Sequence, residues 1–271
     1  MKGTKIFRDE QGRTIVERFT SIRRLEHLVV LVTFVVLLAT GFPQKFYDSS
    51  WASLVLNALG GLDRARLLHR LAGVVFAGHA VMHLGAIAIG MLRRKIRLSL
   101  VPTSRDLEDT WNNLLYYLGV RTKAPEFGKF DYRQKFEYFG IVLGGLVMIA
   151  TGLILMYPGL ATFVLPGQFV AASRVMHSNE ALLALSVLTV WHLYDCIFSP
   201  EIFPLDRTIF TGMIAAEQLK ERYGREYRRL FPDGGSADHA ALQPAAGETP
   251  SSEAPPDSPT GSAGESAPLP P

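Results

Sequence analysis

Four long apolar runs dominate the chain. The first covers residues 28–42, fifteen positions without a charge, and is led in by Leu25, Glu26 and His27; the others cover about 67–92, 136–157 and 175–198. Crossing a hydrocarbon core of about 30 Å takes roughly 20 residues at about 1.5 Å each, and each run is about that long. Their middles are nearly free of Asp, Glu and Lys, and a soluble protein able to cover four such runs would be far larger. The pattern predicts an all-α integral membrane protein built on a bundle of four transmembrane helices. A different period appears between the second and third runs. In SRDLEDTWNNLLYYLG (104–119) the apolar positions are Leu107, Trp111, Leu114, Leu115 and Leu118, with acids in the first turn and a closing glycine, which predicts an amphipathic helix. A second one is expected over 212–230, where Pro232 follows. Either helix would lie on lipid headgroups or dock a partner subunit.

Composition divides the chain further. Residues 233–271 contain no Lys or Arg, six acids and many Pro, Ser, Gly and Ala, so this tail is expected to be disordered. The remaining body sets all 28 basic residues against 25 less six acids, a net charge near +9. The basic residues cluster: seven lie before residue 25, ten in the loop 93–135 and six after the fourth run, against three and one in the other two loops. Because basic loops are retained in the cytoplasm during insertion, both termini are expected there. The N-terminus is too charged to read as a cleaved signal peptide. The expected organisation is a basic segment (1–24), a membrane domain (25–198), a helical extension (199–232) and the tail (233–271). No internal repeat is evident.

Candidate chemistry rests on histidine. Six of the seven histidines, at 27, 69, 79, 83, 177 and 192, fall in or beside the apolar runs, where an ionisable group needs a buried partner and marks function by default. His69 and His83 are 14 residues apart, about 21 Å along a helix, and His177 and His192 are 15 apart, about 22 Å. The second and fourth helices run in the same direction, so their imidazoles reach two matching depths. The first spacing falls about 40° short of four turns and keeps one face, whereas the second overshoots by about 60° and needs helix tilt or a π-bulge. Level-matched imidazoles on different helices suit bis-histidine haem iron; the other readings are helix-to-helix hydrogen bonding, a proton relay or a zinc site. Gly41, Gly73, Gly78, Gly85, Gly144, Gly145 and Gly152 leave room for close helix packing or a flat macrocycle. Arg70 and Arg174 lie beside His69 and His177, placed to pair with haem propionates. There is no CxxCH motif and Cys196 stands alone, so any haem is non-covalent, and no iron–sulfur cluster can be housed within the chain. Glu26, Glu137, Glu180 and Asp195 are candidates for proton exchange. No flavin, nicotinamide or P-loop motif occurs, and no nucleic-acid partner is expected.

The segments RFTSIRRLEHLVVLVTFVVLLATGF (18–42), LHRLAGVVF (68–76) and MHSNEALLALSVLTVWHLYD (176–195) resemble the four-helix dihaem cytochrome b family, which includes formate dehydrogenase gamma subunits, the cytochrome b of nickel–iron hydrogenases and bacterial cytochrome b561. The resemblance implies two haem b groups, with His69 and His177 as iron ligands of the outer one and His27 and His192 of the inner one; His83 remains an alternative inner ligand. It also implies electron transfer between the quinone pool and an iron–sulfur or multihaem partner subunit, within the lipid of a bacterial inner membrane. The alternatives are a stand-alone, cytochrome b561-like, quinone-linked oxidoreductase and a haem-free four-helix transporter.

Overall fold

The computed structural model describes residues 4–93 and 99–232, so the tail expected to be disordered lies outside the described residues. Four helical spans form the body: α1 (Ser21–Lys45), α3 (Leu62–Leu92), α5 (Tyr132–Met156) and the long helix that begins as α7 (Gln168–Val187) and continues to Phe198. Their apolar side chains point outward, with Val32 52%, Val81 72% and Val190 74% exposed. Only surrounding lipid makes such a surface stable, and the chain is a multi-pass membrane protein. The bundle is two tight pairs, α1 against α3 and α5 against α7, with looser packing between the pairs. Two short helices, α2 (Ser50–Ala58) and α6 (Pro158–Val164), close the links at one end, here the far end.

The other end carries a folded cap. Strands β1 (Ile6–Arg8) and β2 (Thr14–Glu17) form an antiparallel hairpin, and β3 (Met213–Ala215) adds to β2 with Val16 opposite Ile214. The ladder joins the segment before the first span to the segment after the last. Packed with it are α9 (Ala216–Arg222) and α10 (Gly224–Leu230); Leu219 on α9, and Tyr223 and Phe231, which end the two helices, form a small core with Val16 and Ile214. This sheet is an addition to the expected helical architecture, and it corrects the continuous helix expected over 212–230. After α8 (Thr208–Thr211), Gly212 adopts φ +83°, and its carbonyl accepts the Arg18 and Phe19 amides. A Cβ there would stand 2.6 Å from the Phe19 carbonyl oxygen, so only glycine makes this turn, which sends the next residues along β2. The amphipathic helix of the loop is present as α4 (Ser104–Tyr117). Thr103 caps it, donating its backbone amide and hydroxyl to Asp106.

Candidate functional site: two facing histidine pairs

At the far-end level, His69 on α3 and His177 on α7 face each other with ring centroids 6.2 Å apart and planes at 72°. At the capped-end level, His27 on α1 and His192 face each other at 6.3 Å and 38°. Two imidazoles bound on opposite sides of one first-row metal ion have centroids about 6.2–6.4 Å apart, given a metal–nitrogen bond of about 2.0–2.1 Å. Both pairs are therefore spaced for one metal atom between them. Zinc sites in proteins take three or four side-chain donors, and among the described residues no group of three or more His, Cys, Asp or Glu converges. Two imidazoles would complete the protein's contribution to an iron held by a porphyrin, so the donor set fits haem.

The last span shows how both pairs align. Its residues 188–192 and 194–198 wind as π turns. A π turn takes one residue more than an α turn and so absorbs the surplus in the 15-residue spacing between His177 and His192.

The groups against the two far-end rings are neutral and built twice over. Thr40 on α1 donates its hydroxyl to the Val36 carbonyl at 2.6 Å and stands 3.0 Å from His69 Nδ1; Thr151 on α5 donates to the Val147 carbonyl at 2.7 Å and stands 2.9 Å from His177 Nδ1. A hydroxyl has one proton, and each is already given to a carbonyl, so each threonine oxygen accepts from Nδ1–H and leaves Nε2 bare for a metal. The next residue is glycine in both helices. A Cβ on Gly41 would come to 2.9 Å from His69 Cε1, and one on Gly152 to 3.2 Å from His177 Cε1. Sequence reasoning missed these threonines, although the signal was present: Ala-Thr-Gly occurs at 39–41 and again at 150–152.

Charged groups surround the capped-end pair. His192 Nδ1 lies 3.2 Å from Glu137 Oε2, and Cys196 Sγ lies 3.8 Å from Nε2. Glu137 is 9% exposed, and its second oxygen has no hydrogen-bond partner. A polar cavity of about 70 Å³ opens there, lined by Glu137, His192, Asp195, Cys196 and Arg133 among others. Arg133 bridges Asp131 at 3.0 Å and Asp195 at 3.2 Å.

The other predicted residues are placed as follows. His83 does not face His192: its Nε2 is 3.0 Å from the Tyr138 hydroxyl and its Nδ1 is 3.2 Å from the Arg23 guanidinium, which itself binds Glu26 at 2.6 Å. His79 stacks on His83 at 6.0 Å. Arg70 and Arg174 are exposed and have no hydrogen-bond or ion-pair partner among the described residues. Glu180 is half-buried, with its carboxylate against Gly144. At the far-end level an apolar groove of about 490 Å³ runs between α1, α2 and α7, lined by Leu38, Phe42, Trp51 and Leu182 among others.

Comparison with known proteins gives a consistent picture. Residues 18–212 match the model of the family described as prokaryotic cytochrome b561. The formate dehydrogenase cytochrome b556(fdo) subunit of Escherichia coli (strain K12) is 20% identical over 220 residues, covering 80% of this chain and 94% of that protein. The nitrate-inducible formate dehydrogenase cytochrome b556(Fdn) subunit of the same strain is 21% identical over 218 residues, covering 80% and 92%. The Fdn subunit of Shigella flexneri is similar to the same degree.

Proposed function

Because the chain belongs to the prokaryotic cytochrome b561 family, we propose that it carries electrons between a partner redox subunit and the quinone pool through two b-type haems, one held by His69 and His177 and the other by His27 and His192. Family membership makes it a membrane b-type cytochrome of electron transfer and sets aside the haem-free transporter. The observation that carries the count of two is the pair of facing imidazole couples, each spaced for a single metal atom. Haem bound there supplies one-electron chemistry at iron. The two levels lie about 21 Å apart along the helices, which spans most of the bilayer core.

The chain's own groups hold and orient. Thr40 and Thr151 fix the tautomer of the far-end ligands, and Glu137 accepts from His192 Nδ1 at the other level. His83 is engaged at both ring nitrogens by Tyr138 and Arg23, which favours His27 as the partner of His192. Arg70 and Arg174, with no ion-pair partner among the described residues, would bind propionates at the far-end level. The capped end is cytoplasmic in this reading, because it carries the basic segments, in a bacterial inner membrane. The relatives are cytochrome subunits of formate dehydrogenases, which favours an attached iron–sulfur or multihaem subunit over a stand-alone quinone-linked enzyme. Pyridine haemochrome analysis of the purified chain, with a reduced-minus-oxidised spectrum, tests the reading. Two haems b per chain are expected, reducible by a quinol analogue; a single haem would overturn the pairing.

A further inference from the structure

Helix α4 is inside out for a helix at a water-exposed surface. Its polar residues Asp106, Asp109 and Asn113 share one face and are 9%, 8% and 4% exposed. Its apolar residues Leu107, Trp111, Leu114 and Leu118 form a stripe on the opposite face and are 75%, 60%, 45% and 66% exposed. A surface helix of a soluble protein buries its apolar stripe and shows its polar one. Here the reversal is locked by three tethers. Lys135 Nζ binds Asp106 at 2.7 Å, Arg225 binds Asp109 at 2.8 Å, and the Asn113 amide donates to the Tyr132 hydroxyl at 2.9 Å. Turning the stripe inward would break all three and leave the half-buried Lys135 ammonium without its carboxylate, so the outward orientation is built in.

We propose that α4 is a surface anchor whose apolar face lies in the lipid leaflet at the capped end, among anionic headgroups. Two observations select lipid as the occupant. The first is continuity: two tethers attach α4 to the opening turn of the span α5, and the lipid-facing surface of that span begins immediately afterwards, with Phe136 62% and Phe139 54% exposed. The stripe therefore sits at the height where the span enters the bilayer. The second is charge. Arg93, Arg105, Arg121 and Lys123 are exposed around the helix, and a tryptophan on an apolar stripe flanked by basic residues is the composition of an interfacial helix. The anchor needs only the membrane fold and does not depend on haem. It holds the cap, through Arg225 on α10, against the membrane surface.

The test uses the full chain, purified alone, in nanodiscs containing phosphatidylglycerol. Single variants Leu107→Cys, Trp111→Cys and, as the exposed control, Glu108→Cys are labelled with a membrane-impermeant maleimide, and each site is read by peptide mass spectrometry so that Cys196 does not interfere. Positions 107 and 111 are expected to label roughly tenfold more slowly than 108. Equal rates would overturn the anchor. In parallel, unsubstituted protein is irradiated with phospholipid carrying an acyl-chain diazirine, which requires no variant. Cross-links on the peptide containing Trp111 are expected; cross-links confined to the spans would overturn the proposal. Rapid labelling in the chain alone that becomes protected only when another subunit is bound would assign the face to a protein partner and also overturn it.

Discussion

The two histidine pairs, at opposite ends of the bundle, share one spacing in opposite chemical settings. His69 and His177 rest on neutral hydroxyls and glycines, with no carboxylate bonded to either ring among the described residues. His192 rests on the buried carboxylate of Glu137, close to Asp195 and Arg133. A carboxylate accepting the Nδ1 proton gives the imidazole more anionic character than a hydroxyl does, which favours the oxidised metal. The contrast teaches that centroid spacing, nearly equal in the two pairs, says where a metal atom fits, while the second layer of side chains decides how each site behaves.

Removing one ligand is the strongest way to break the comparison. His177→Ala is expected to remove the far-end haem alone and halve the haem b per chain, measured by pyridine haemochrome, whereas His83→Ala retains both haems. Loss of both haems from His177→Ala would show that the two levels are not independent.

Next comes the charged end's response to acid. Burial opposes ionisation of Asp106, but the Lys135 ammonium and Thr103 outweigh it and hold the carboxyl below its ordinary value of 3.8. A depressed carboxyl contributes stability above its unfolded value, and that stability is lost as pH falls through the folded one. Attachment of α4 is thus expected to be constant at neutral pH and to weaken below about pH 4, read by limited proteolysis within 104–117. Lys135→Met is expected to cost about 2 kcal/mol of that attachment, because Asp106 is left buried without its partner. Equal protection of α4 at pH 7 and pH 3 in the unsubstituted protein would count against the tether.

Smaller effects sharpen the electronic contrast. Glu137→Gln is expected to raise the midpoint potential of the capped-end haem by on the order of 50 mV, seen in a redox titration, because the negative charge on the imidazole's partner is gone. Thr151→Ala is expected to shift the far-end haem by about 20 mV and to broaden its low-spin electron paramagnetic resonance signal, with Thr151→Ser restoring both. Shifts of equal size at the two ends would remove the distinction drawn between the hydroxyl and carboxylate settings.

The features written in the sequence are those that depend on composition over a long window. The four spans needed only runs of apolar residues, and their observed bounds differ from the expected ones mainly at the ends, where Ser21–Lys45 and Gln168–Phe198 continue into more polar residues. The six histidines stood out because each is costly in lipid. The cap did not stand out. Residues 212–230 carry a helical pattern, yet the left-handed Gly212 and the pairing of Ile214 with Val16 turn their start into a strand, a choice that depends on a hairpin nearly two hundred residues earlier.

Sequence alone determined that this chain enters a membrane four times and places imidazoles at two depths, because transfer into lipid is a sum over local residues. Tertiary structure decided which imidazoles meet. Only with α1 seated against α3 and α5 against α7 does His83 turn to Tyr138 and Arg23, leaving His27 opposite His192. It also decided which way α4 faces, since an amphipathic pattern defines two faces but not the one that is covered. Three polar tethers to residues 132, 135 and 225 make that choice. Pairing of side chains distant in the chain is a property of packing and carries no period for a sequence to display.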